Sequence, residues 1–232
     1  MLDDRELMRL HIEALYTHDA AGDLVRVNEP NGAPAPRFFL GRTAHGAARR
    51  FRHDVDLESR RELEAASRDD VLRAHALDAP PDLTPYARIL ARAAPVEQTE
   101  AGPAFCFPRD SRTITSAVLV TDENAESLRP LLAPWIPDVR LSAPLFALHV
   151  DGQAVAVCAS VRITSDAHEA GVETSLAYRG RGYAAQVVTA WARAVRDMGR
   201  VPLYSTSWRN GASQAVAGKL GLTHFGSDLH LT

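Results

Sequence analysis

Residues 174–184, Thr-Ser-Leu-Ala-Tyr-Arg-Gly-Arg-Gly-Tyr-Ala, dictate a strand, a glycine turn and a helix in immediate succession. The run before them, 169–175, reads as a strand. Residues 182–198 carry Ala184, Val187, Val188, Trp191, Val195 and Met198 as one apolar stripe at helical spacing. A strand that turns through Arg179-Gly180-Arg181-Gly182 into a helix presents the helix's first backbone N–H groups, which have no intrahelical acceptor, at the end of a sheet. They lie at the positive end of the helix dipole, and the two glycines let an anion approach the backbone closely. Arg179 and Arg181 add guanidinium forks that suit phosphate oxygens. Such a bend fits a pyrophosphate.

Around this stretch the pattern is α+β. In the first hundred residues, 3–17 read as a helix with acids in its first turn, 24–27 as a strand, and 28–36 as a proline-rich loop. Short strands are expected at 37–41 and 48–52, and helices begun by Asp, Ser or Thr at 57–66, 69–77 and 84–93. Gly102, Pro103 and Pro108 punctuate residues 98–109, so an N-terminal α+β accessory region of residues 1–100 and a second unit of residues 101–232 are expected. In the second unit a strand is predicted at 114–120, a helix at 123–132, and a hairpin of 145–150 and 154–161 turning at Asp151-Gly152. A strand at 201–206, a helix at 212–220 stopped by Gly221, and a terminal strand complete the chain.

Arg179-Gly180-Arg181-Gly182-Tyr183-Ala184 resembles the R-x-x-G-x-G/A motif of the GNAT superfamily of acyl-CoA N-acyltransferases. Residues 210–222, Asn-Gly-Ala-Ser-Gln-Ala-Val-Ala-Gly-Lys-Leu-Gly-Leu, resemble that family's N-x-x-A/S-x-x-l-Y-x-k-l-G-F. The order of strands and helices over residues 110–232 agrees with the family, and the resemblance does not reach residues 1–100. It implies a bent mixed β-sheet flanked by helices, whose fourth and fifth strands part around the pantetheine arm of acetyl-CoA, the cosubstrate. Carried onto this sequence, it implies that the backbone of Thr174, Ser175 and Leu176 holds pantetheine. Arg179 and the amides of Gly180, Arg181, Gly182, Tyr183 and Ala184 would hold the pyrophosphate. Thr206 would lie near the thioester and Asn210 on the far side of the arm, with Ser213 following it. Asn210 also reads as an ordinary N-cap, and the two roles are compatible.

The resemblance further implies transfer of an acetyl or related acyl group to a primary amine of a small molecule or peptide, by direct attack in a ternary complex. An alkyl ammonium is almost wholly charged at neutral pH, so a base must take its proton. Glu169, Glu173 and His168 lie on or beside the strand that supplies this base in relatives. Strand alternation puts His168 on the face opposite Glu169 and Glu173. Either carboxylate also reads as a half-exposed strand residue, and His168 as a loop-edge histidine. Many relatives place a Tyr that protonates the leaving thiolate where this chain has Ala217, and Leu222 replaces an aromatic. Tyr204, Tyr183, Ser205 and Ser207 are candidate substitutes, or the thiolate leaves without a dedicated acid. The missing Tyr also motivates a second reading, a non-catalytic acyl-CoA-binding or ligand-sensing protein.

Charge and composition bound these readings. With 26 basic and 29 acidic residues the formal charge is −3, which gives no whole-protein attraction to nucleic acid or to an anionic membrane. Residues 176–211, by contrast, hold six arginines and one aspartate, a basic strip for a polyanionic ligand. Only one of the basic residues, Lys219, is a lysine. No stretch approaches the ~20 apolar residues of a membrane span. The opening residues, acidic from the third onward, lack the pattern of a signal peptide, so a cytoplasmic location is expected. Cys106 and Cys158 read as reduced, buried thiols, with a single bridge between them as the alternative, and the histidines show no paired ligand spacing, so no metal is expected. The expected partner is the amine substrate, with a homodimer as the candidate assembly.

Overall fold

The computed structural model describes residues 2–30, 32–72, 77–108 and 114–232. In chain order the elements are α1 (Asp4–Leu15), β1 (Tyr16–His18), β2 (Leu24–Val27), β3 (Phe38–Thr43), β4 (Gly46–Phe51), α2 (Leu57–Leu72), α3 (Thr84–Leu90) and β5 (Thr99–Cys106). They continue with β6 (Val118–Val120), β7 (Leu145–Val150), β8 (Gln153–Ile163), β9 (Ala167–Thr174), α4 (Tyr183–Asp197), β10 (Val201–Ser205), α5 (Gly211–Lys219) and β11 (Thr223–Leu231). Short 3₁₀ turns occupy Ala125–Leu128, Ala133–Asp138 and Leu176–Tyr178. Two compact units result, the first of residues 1–105, 205–211 and 224–232, the second of residues 106–204 and 212–223.

The first unit is built on β3. Phe38, Phe39 and Leu40 are consecutive in the strand and all fully buried, so both faces of β3 are covered. Phe39 meets Tyr16 and His11, at ring distances of 5.6 and 6.4 Å, on the side of α1. Phe38 stacks on Phe51 at 5.4 Å and reaches Tyr86 of α3 at 5.3 Å, with Leu63 of α2 in the same cluster. β4 and β11 flank β3, each antiparallel, the latter pairing Leu231 with Phe38 and Ser227 with Arg42. The predicted helices at 57–66 and 69–77 are joined as α2, which runs unbroken to Leu72, and residues 73–76 lie outside the described residues. Within α2 the Ser67 hydroxyl donates back to the Glu64 carbonyl at 3.1 Å and caps no new helix.

The second unit has the strand order β10-β9-β8-β7-β6, parallel between β10 and β9 and antiparallel elsewhere. The β7–β8 hairpin turns at Asp151 and Gly152, both with positive φ (50° and 79°), as the Asp-Gly pair predicts. α4 covers one face of this sheet with Val187, Val188, Trp191 and Val195, all fully buried. Leu128, Leu132 and Val139 pack with Val157 and Ala159 of β8, and Trp135 and Ile136 join that cluster. The helix predicted at 123–132 is only the 3₁₀ turn Ala125–Leu128. Asn124 accepts from the Thr121 N–H and donates to the Leu119 carbonyl, and Arg129, which precedes Pro130, is extended. The predicted strand at 114–120 begins at Val118. Among the described residues no helix is long and apolar enough to cross a membrane.

β1 and β5 were not predicted. β5 matters because residues 206–208 run beside it in the first unit, Thr206 donating to the Pro103 carbonyl at 3.3 Å and Trp208 to that of Ala101 at 3.0 Å. Gly102 allows this approach, since a Cβ there would lie 1.7 Å from the Thr206 carbonyl oxygen, a backbone atom that cannot swing aside. Gly102→Ala is therefore expected to cost about 3 kcal/mol. Chemical denaturation of the two proteins measures it; an unchanged midpoint would contradict the packing described.

Candidate functional site

β9 is paired with β10 for only three residues. Ala167, His168 and Glu169 pair with Val201, Pro202 and Leu203 of β10, whereas on the other edge β9 stays paired with β8 through Thr174. Past Glu169 the β10-facing edge of β9 has no strand partner among the described residues. A strand edge of this kind carries backbone donors and acceptors that an extended ligand can meet with sheet-like hydrogen bonds. At the end of β9, Ser175 donates to the Val155 carbonyl at 2.9 Å, and one 3₁₀ turn leads into the glycine bend.

Gly180 and Gly182 both take the left-handed conformation, with φ of 76° and 83°, which glycine adopts without the penalty a side chain would bring. Gly182 stands at the N-cap of α4 and no side chain caps the helix. Three cations surround this turn. Arg179 Nε donates to the Thr174 carbonyl at 3.1 Å, and Arg181 reaches the Ala177 carbonyl at 3.3 Å with its guanidinium 5.3 Å from the Tyr178 ring centroid. The third is Lys219, at the end of α5, whose Nζ lies 2.5 Å from where a Cβ on Gly182 would be. Among the described residues no carboxylate pairs with any of the three, which suits a site for an anionic group. The sequence showed Lys219 to be the sole lysine but gave no sign that it meets Gly182. The geometry suits an anionic group such as a diphosphate, which residues 180–184 and these three side chains could hold.

The side chains of β9 divide by face, as alternation predicts. His168 is fully buried on the α4 face, where both ring nitrogens are engaged: Nε2 with Arg200 Nη1 at 2.7 Å and Nδ1 with Ser160 Oγ at 2.7 Å. A guanidinium only donates, so Nε2 must accept, and the neutral ring carries its proton on Nδ1 toward Ser160. Trp191 Nε1 also donates to Ser160 Oγ, at 2.9 Å. Burial first, and the Arg200 charge second, push the His168 pKa down to about 4. His168 is thus a neutral core residue with no free lone pair for an amine proton, which corrects its reading both as a loop-edge histidine and as a candidate base. Glu169, on the other face, is 1% exposed and has partners of its own. Glu173, also on that face, is half-buried, and its Oε2 accepts from Trp135 Nε1 at 2.6 Å. Sequence reasoning did not single out Trp135.

Two expected residues meet in the second unit. The Tyr204 hydroxyl lies 2.6 Å from Ser213 Oγ. Burial raises the Tyr204 phenol pKa, so it stays protonated. Ser213 lies one helical turn before Ala217 on α5, and Ala217 is itself buried. Asn210 is exposed in the residue before α5, where its N–H closes a turn onto the Ser207 carbonyl at 2.9 Å. Thr206 is half-buried beside β5.

Because the His168 pKa is lower folded than unfolded, the unfolded chain binds more protons between about pH 4 and pH 6.5. The contribution of this histidine to stability is complete above about pH 6.5 and declines as pH falls toward 4. Denaturation midpoints measured across that window are expected to fall with pH more steeply for the wild type than for His168→Gln; equal slopes would contradict the assignment.

Residues 145–226, from β7 into β11, match the family model of the GNAT acetyltransferases. No curated protein matches the chain. Among solved structures, a GCN5-related N-acetyltransferase from Kribbella flavida is 14% identical, with 99% of this chain and 95% of that one covered at a TM-score of 0.51. An acetyltransferase of the GNAT family from Colwellia psychrerythraea is also 14% identical, covering 79% of this chain and 75% of its own, at 0.51. A GNAT-family protein from Novosphingobium aromaticivorans is 21% identical over 59% of this chain, which spans 65% of that protein's length, at 0.49. At these identities the likeness is one of fold, and in the Kribbella protein it extends over nearly the whole chain.

Proposed function

We propose, for a chain that belongs to the GNAT superfamily through residues 145–226, that it is an N-acetyltransferase, moving an acetyl or related acyl group from its CoA ester to a primary amine of a small molecule or peptide. The observation that carries this reading is the parting of β9 from β10 after Glu169, followed directly by an uncapped helix start at Gly182. The free edge of β9 through Thr174, with Ser175 and Leu176 beyond it, suits a pantetheine arm. The turn with Arg179, Arg181 and Lys219 suits a diphosphate. Thr206 and Asn210 are assigned to the thioester end and the far side of the arm on the resemblance alone.

Acetyl-CoA supplies an activated acyl carbon and a thiolate leaving group. In this chain Glu173 is the base, taking the proton that the acceptor ammonium must lose before its nitrogen can attack. The C–N bond then forms as the C–S bond breaks and the nitrogen gives up its second proton, which balances the one the thiolate takes up; holding the two reactants together makes the step effectively unimolecular. The departing thiolate takes up a proton. Tyr204, protonated and hydrogen-bonded to Ser213 one turn from Ala217, is the donor that stands in for the Tyr absent at 217. The acceptor is expected on the face of β9 that carries Glu173, away from α4.

Calorimetry with CoA and mass-detected acyl transfer to a panel of primary amines test this reading. Gly182→Asp sets a carboxylate against the diphosphate and is expected to weaken CoA binding on the order of 100-fold, whereas Ala217→Tyr leaves it within about threefold. Absence of CoA association with the wild type would overturn the proposal. Tight binding with no transfer to any amine would favour the non-catalytic acyl-CoA-binding alternative.

A further inference from the structure

We infer that Trp135 is a positioning residue for acyl transfer, its indole N–H holding the Glu173 carboxylate in place. The inference rests on the reading of Glu173 as the base. Trp135 lies outside residues 145–226, on the Ala133–Asp138 turn. That turn is a firm support: it contains Pro134 and Pro137, the Trp135 N–H closes onto the Leu132 carbonyl at 3.0 Å, and Leu132 and Val139 on either side are buried in the core.

The sheet is shaped to receive the ring. Glu169, Gly171 and Glu173 share one face of β9. A Cβ on Gly171 would lie 2.1 Å from Val161 Cγ1 and 3.2 Å from Trp135 Cη2, so a side chain there would clash with Val161 and crowd the ring. The benzo edge of the indole lies over Gly171, and its N–H reaches Glu173 two residues on. This is a charge-assisted hydrogen bond of 2.6 Å, and among the described residues it is the only hydrogen bond of the Glu173 side chain. An indole can only donate and carries no charge, so it fixes Oε2 without neutralising the carboxylate and leaves Oε1 to receive a proton. A glutamate has three rotatable bonds, and a base must stay within hydrogen-bond reach of the proton it abstracts. Both residues are half-exposed, so an acceptor can approach them.

The test uses the full chain with acetyl-CoA and a primary amine that the wild type acetylates, and compares Trp135→Phe, Glu173→Gln and the double variant. Trp135→Phe keeps a ring over Gly171 and removes the donor. It is expected to lower kcat about tenfold with KM for acetyl-CoA within about twofold, and Glu173→Gln to lower kcat about 100-fold. The double variant is expected to be no slower than Glu173→Gln alone, because the indole acts through the carboxylate. A readout independent of turnover is the indole N–H resonance of Trp135, identified by its loss in Trp135→Phe: Glu173→Gln is expected to shift it further than those of Trp191 and Trp208. Multiplying kinetic effects, an unchanged kcat in Trp135→Phe, or an unmoved resonance would each overturn the role of Trp135 while leaving acyl transfer standing. A wild type that binds no acetyl-CoA, or acetylates no amine, would overturn both.

Discussion

The three residue pairs between β9 and β10 govern the rest of the site. Were the two strands bonded further, no edge would remain for an extended ligand; were they not bonded at all, nothing would define where the opening begins. The closed end is pinned by a buried polar network that joins β9 through His168, β8 through Ser160, α4 through Trp191, and Arg200 just ahead of β10. Every member is hydrogen-bonded, the condition under which buried polar groups make a structure more specific at tolerable cost. Past that lock β9 is still held along its length by β8, so its open edge is a firm surface. The neutral, deeply buried state of His168 belongs to this structural task.

The faces of β9 divide the labour. The even-numbered residues from His168 to Thr174 face α4, and the odd ones, Glu169, Gly171 and Glu173, face away from it, where Trp135 lies. Cofactor recognition on this scheme depends mainly on backbone: the strand edge, the left-handed glycines and the first turn of α4, with Arg179, Arg181 and Lys219 adding charge. The proposed catalysis depends on side chains instead, Glu173 and Tyr204, each hydrogen-bonded to one neighbour, Trp135 and Ser213.

Much of this was legible from residue pattern because its causes are local. The Asp-Gly hairpin, the apolar stripe of α4, the glycine bend and the opposite faces of His168 and Glu173 all follow from spacing and backbone preference. What stayed hidden depends on distant partners. β5 offers no alternation that would mark it as a strand; its Gly102 and Pro103 read as punctuation until residues 206–208 are seen beside it. The pairing of β11 with β3 links residues almost 190 apart and leaves no trace in either segment. His168 read as a loop-edge residue because its burial comes from Arg200, Ser160 and α4, and Trp135 could not be tied to Glu173 without the register of the sheet. The helix predicted over 123–132 failed for a reason present in the sequence, the Asn124 side chain and Arg129-Pro130.

A crystal structure of the protein bound to coenzyme A tests the central claim most directly. The account predicts the pantetheine arm extended along the open edge of β9 at residues 170–174 and the diphosphate on the backbone amides of residues 180–184, within reach of Lys219. Coenzyme A bound away from that edge, with the amides at the start of α4 turned to solvent, would contradict it.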